Sequence, residues 1–100
     1  MIHPLMVDLT LDFIQSLSTK AVVVINGIEH QFDYYRVMRE GNTIKKYVYL
    51  SSEVGNVTAA HAVDSLGRHL ESYEAQIEKG PDGFMIVFLL SLEIKGMVIS

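Results

Sequence analysis

The sequence predicts an α+β domain with a mostly antiparallel sheet of about five strands and one main helix, and three features carry that prediction. Asn26-Gly27 sits between two extended runs, the hydrophobic period lengthens after Gly55, and Pro81-Asp82-Gly83 precedes a short apolar run. With 100 residues, 49% hydrophobic and 20% charged, the expected organisation is a single domain over 1–100.

Residues 5–13 alternate, with Leu5, Val7, Leu9, Leu11 and Phe13 on one side and Met6, Asp8, Thr10 and Asp12 on the other. That period of two predicts a half-buried strand. A helix over 8–17, with Leu9, Phe13 and Leu17 on one stripe, is the competing reading. Gln15–Thr19 reads as a connection. Ala21–Ile25 is apolar and largely β-branched, and Asn26-Gly27 suits the positive φ angles of a type I′ hairpin turn. The second hairpin strand is expected to run to about Val37. Glu40-Gly41-Asn42 supplies the next turn and Thr43–Leu50 another strand, which makes a three-stranded meander over 21–50.

After Gly55, Ala60, Val63, Leu66, Leu70, Tyr73 and Ile77 fall at steps of three or four, which predicts a helix over 58–79. Thr58 would cap its start and Lys79-Gly80-Pro81 would end it. Gly67 offers the alternative, a turn that divides 58–79 into two strands and makes the chain all-β. Phe84–Leu92 reads as a central strand, with 96–100 extending it or fraying. The predicted order is β-β-β-β-α-β. Ala21–Ile25 and Phe84–Leu92 are apolar on both faces, yet one helix covers only one face of a sheet. The other face needs a second layer, from the sheet curling on itself or from a partner, and self-association into a homodimer is the expected solution.

Several chemistries have no support. The chain has no Cys, so disulfides, thiol catalysis and Cys-based zinc sites are excluded. It lacks the glycine-rich nucleotide motifs and the Gly-x-Ser-x-Gly elbow. On a helix, His61 and His69 would stand about 12 Å apart, too far to share an ion. Asp8 and Asp12 on a strand would stand about 13 Å apart, beyond the reach of paired acid–base carboxylates. No catalytic residue, metal ligand or cofactor is assigned. The start lacks a basic signal region, and the longest apolar run is far short of the roughly 20 residues of a membrane helix. A cytoplasmic protein with no membrane contact is expected.

Charge is unevenly spread. Residues 34–49 carry Arg36, Arg39, Lys45 and Lys46 against Glu40, a net +3, whereas the rest of the chain sums to −7. The same window holds Tyr34, Tyr35, Tyr47 and Tyr49. Arg and Tyr are enriched at protein interfaces. Tyr34, Arg36, Arg39, Lys45, Lys46, Tyr47 and Tyr49 are therefore the candidate contact surface. The bland reading is a strand pair with half-buried tyrosines and solubilising cations. The expected function is that of a small non-enzymatic accessory or assembly factor, a type common in bacteria and their phages. It would act through protein contacts with a second copy or another protein. The alternative is a nucleic-acid-binding module using the 34–49 hairpin, with cations on phosphates and rings on bases.

Overall fold

A computed structural model describes residues 1–96. One helix, α1 (Pro4–Leu17), precedes seven strands: β1 (Lys20–Ile25), β2 (Ile28–Asp33), β3 (Arg36–Glu40), β4 (Thr43–Leu50), β5 (Gly55–Val63), β6 (His69–Lys79) and β7 (Phe84–Ser91). The strands form two antiparallel sheets, ordered β2-β1-β5-β6 and β3-β4-β7. The α+β class with antiparallel sheet holds. The strands are more numerous than five, and the helix comes first.

Residues 5–13 are helical, not extended. Their alternation also fits a helix: Leu5, Leu9 and Phe13 recur at four-residue steps, and Val7, Leu11 and Ile14 form a second stripe. Pro4 opens the helix, at the position where a missing N–H costs nothing.

Residues 58–79 are two strands, not one helix. At the turn between them Gly67 has φ +79°, and Asp64 Oδ1 accepts the backbone N–H groups of Leu66 and Arg68 at 2.9 Å each. The pairing of β5 slips between Val57 and Ala59, so Val57 and Ala60, three residues apart, both enter the core. That bulge accounts for part of the helix-like spacing. Thr58 is therefore no helix cap. Lys79 is buried near a bend, its ammonium bonded to the carbonyls of Ser51, Glu53 and Gly80.

The first hairpin turns at Asn26 (φ 52°) and Gly27 (φ 77°), as a type I′ turn requires. The meander over 21–50 does not persist, however. β2 stops at Asp33, and the chain crosses at Tyr34-Tyr35 into the other sheet, where β3 pairs with β4. β4 is the central strand there, and β7 is an edge. Of the expectation for 96–100, residues 97–100 lie outside the described residues.

The sheets face each other through Ala21, Val23, Ile25, Val57, Ala60 and Ala62 on one side and Val48, Leu50 and Phe88 on the other. The chain itself thus covers the face of β1 that carries Ala21, Val23 and Ile25. The opposite end of the β3-β4-β7 sheet meets α1 instead, with Ile14 and Leu17 across a cavity from Ile44 and Leu90. This offset lengthens the molecule. Its radius of gyration is 16.2 Å, against about 13 Å for a compact chain of this size. Among the described residues, no helix is long and apolar enough to cross a membrane.

Leu70, expected on a buried helical stripe, is 48% exposed, whereas Phe88 is enclosed between the sheets. Phe88→Ala is expected to cost about 3–5 kcal/mol and Leu70→Ala about 0.5 kcal/mol in urea denaturation. Equal losses would contradict this core.

Candidate interaction surface

Successive residues of a strand point to opposite faces, so the basic-aromatic cluster is divided between two environments. Arg36, Lys45, Tyr47 and Tyr49 share the outer face of the β3-β4-β7 sheet. There Arg36 lies opposite Tyr47, and Lys45, Tyr47 and Tyr49 lie opposite Leu89, Val87 and Met85. The ring of Tyr35 packs on Tyr49 at 5.8 Å. Lys45 Nζ lies 3.5 Å from a Glu40 carboxylate oxygen. The outer face is therefore more aromatic and aliphatic than basic.

Tyr34, Arg39 and Lys46 turn the other way and hold α1. Arg39 Nη1 meets Asp12 Oδ1 at 2.7 Å and Gln15 Oε1 at 3.4 Å, while Nη2 reaches the Asp8 carbonyl at 3.3 Å. Lys46 Nζ donates to the carbonyls of Gln15 at 2.8 Å and Ser18 at 2.7 Å, at the helix C-terminal end. The hydroxyls of Tyr34 and Ser18 are 2.7 Å apart, and the Lys46 ammonium sits 5.2 Å from the Tyr34 ring centre. Burial pushes the Lys46 ammonium below its ordinary pKa, an effect that the field of Glu71 opposes. Burial raises Tyr34, against the lowering effect of its bond to Ser18. The seven candidate residues thus form no single surface: four face outward and three anchor the helix.

A second apolar surface lies on α1, outside the seven candidate residues. With Leu11 turned inward and fully buried, α1 presents Leu5 (64% exposed), Met6, Leu9 (59%) and Phe13 (65%) on its free side. The signal lay in the four-residue spacing of Leu5, Leu9 and Phe13, once the segment is taken as helical.

Between α1 and the two sheets lies a cavity of about 300 Å³, with Lys46, Ser18 and Glu71 among mostly aliphatic walls. On the far face of the other sheet, His61 and His69 do meet, contrary to the helical expectation. They occupy paired strands, and their rings stack at 3.9 Å. Ser72 Oγ lies 2.7 Å from His61 Nδ1. Among the described residues, no three His, Cys, Asp or Glu side chains are grouped to hold a metal ion. Compared with protein-family models, curated proteins and solved structures, the chain matches none.

Two outcomes follow from this geometry. Removing the guanidinium with Arg39→Ala is expected to lower the opening free energy of α1 by about 1 kcal/mol. Hydrogen exchange would show this as faster exchange in α1, with the β1 and β5 amides unchanged. Exchange quickened equally everywhere would instead assign Arg39 to the whole fold.

The second outcome concerns pH. Burial first, then the neighbouring His69, holds His61 below its ordinary value of 6.5, against Glu29 and Glu74. The unfolded chain therefore takes up this proton at a higher pH than the folded one. The stability contribution is complete above the unfolded value and is lost as pH falls through the lower folded value. The thermal midpoint is expected to fall between about pH 7.5 and about pH 5.5, and His61→Gln to shrink that fall. An unchanged pH profile in the variant would remove His61 from the account.

Proposed function

We propose that the protein is a non-enzymatic module that works through protein contacts and self-associates through the free side of α1. The observation that carries this reading is the exposed row Leu5, Met6, Leu9 and Phe13 on a helix whose opposite side is already packed. Large contiguous apolar patches on a chain surface mark interaction sites.

A second copy fits this row better than an unrelated partner. Leu5 and Phe13 stand symmetrically about Leu9, so two antiparallel helices would set Leu9 on its counterpart and each Leu5 on the other copy's Phe13. Such a pairing is isologous and closes on itself. Opposed helix dipoles favour it, and the Arg39 guanidinium on Asp12 reduces repulsion between the acidic residues of the two helices. Together with Leu17, the row offers roughly 500 Å² per copy, about 1,000 Å² per pair, the lower limit of a specific interface. An interface of that size is expected to come apart on dilution. The nucleic-acid alternative has less to rest on, because Arg39 and Lys46 are engaged with α1 and only Arg36 and Lys45 remain on the outer face.

Light scattering after size exclusion tests the proposal. The wild-type chain is expected to run as a dimer at about 100 µM and to dissociate on dilution, and Leu9→Glu to be monomeric throughout. A wild-type monomer at the highest concentration, or a Leu9→Glu dimer, would overturn it.

A further inference from the structure

We infer that the cavity between the C-terminal turn of α1 and the two sheets binds a small amphipathic acid, its carboxylate on Lys46 and its apolar body against Ile14, Ile44, Ala62, Phe88 and Leu90. The cavity exists because β5 turns short side chains, Ala60 and Ala62, toward Phe88, and because α1 rather than a strand covers the end of the sheet. Its volume of about 300 Å³ is at the small end of ligand pockets, and its walls have their composition, mainly aliphatic with few polar groups.

Lys46 specifies the head group. The residue is 7% exposed, and two of its N–H groups are committed to the carbonyls of Gln15 and Ser18. The third has no hydrogen-bond acceptor among the described residues, and no carboxylate there lies within 4.0 Å of the ammonium. The helix C-terminus contributes only about half a unit of opposing charge. Glu71 acts on the ammonium only through its field from another wall of the cavity, and a buried cation is costly without an anion in contact and a full set of acceptors. A carboxylate supplies both, and the Ser18 hydroxyl lines the same cavity. At Lys46 an amine would be repelled, while Glu71 on another wall is already engaged by the Tyr73 hydroxyl, and an alcohol would bring no opposing charge. Glu71 lies on another wall, its carboxylate accepting the Tyr73 hydroxyl, and its charge opposes an anionic guest. Apart from Leu17, which lines the cavity and also flanks the exposed row, this site is built from residues away from the free side of α1, so it stands or falls separately from self-association.

Calorimetric titration of the full chain at neutral pH with sodium octanoate, 1-octanol and octylamine tests the inference. Octanoate is expected to bind about tenfold more tightly than octanol, and octylamine not to bind. Amide shifts on titration should centre on Ile44, Phe88 and Leu90. Lys46→Met should abolish the preference for the acid, and Glu71→Gln should tighten octanoate several-fold. Ala62→Leu fills the cavity while leaving Lys46 in place, and should abolish binding of both octanoate and octanol. That variant and Glu71→Gln decide the matter if Lys46→Met fails to fold. No octanoate binding at millimolar concentration, octylamine binding as tightly as the acid, or unchanged binding by Ala62→Leu would each overturn it.

Discussion

The ammonium of Lys46 is the joint on which this small fold turns. The last carbonyls of a helix have no partners within it. Here two acceptors at that end, Gln15 and Ser18, receive hydrogen bonds from a side chain rooted in the middle of β4. One group thus fixes where α1 ends, how it lies on the sheet and which face of β4 looks inward. Arg39 repeats the device further up the helix through Asp12 and the Asp8 carbonyl. Because polar bonds do much of the holding, Leu11 is the one fully enclosed apolar residue of α1, and Leu5, Met6, Leu9 and Phe13 stay free.

The same joint marks a division of labour along β4. Val48 and Leu50 lie under the four-stranded sheet, Ile44 lies under α1, and Lys46 stands between them. Neither cover extends over the whole sheet. The molecule is therefore long and narrow, about 58 by 22 by 22 Å, and a void remains at the seam.

What the sequence made legible was local. The turns at Asn26-Gly27 and Gly41 depend on residues that accept positive φ, and the structure uses them as expected. Thr43–Leu50, read as a strand, is one, and its apolar Ile44, Val48 and Leu50 are buried while Lys45, Tyr47 and Tyr49 are not. The failures have particular causes. Residues 5–13 carry apolar side chains on two sides, so period two and period 3.6 both describe them. On β5, a bulge mimics a helical step. Nothing local at Tyr34-Tyr35 announces that the chain changes sheets, because the pairing that decides it is remote. Counting charges in a window cannot see that adjacent Lys45 and Lys46 must point apart. The composition therefore gathered one cluster where the fold has an outer surface and an inner anchor.

The edge position of β7 has its own consequence. Its eight residues, FMIVFLLS, carry no charge and no proline, and beyond β4 no strand pairs with it among the described residues. Proteins commonly blunt such an edge with an inward charge, a bulge or a proline. Here the charges stand only at the approaches, Asp82 before the strand and Glu93 and Lys95 after it, while the Tyr73 hydroxyl reaches the Leu89 carbonyl from the neighbouring sheet. Once the sheets part, this segment meets the requirements of a self-templating cross-β ribbon. For chains with such an edge, heat inactivation is governed less by the depth of the native energy well than by a race between refolding and irreversible precipitation, run at a rate that climbs with concentration.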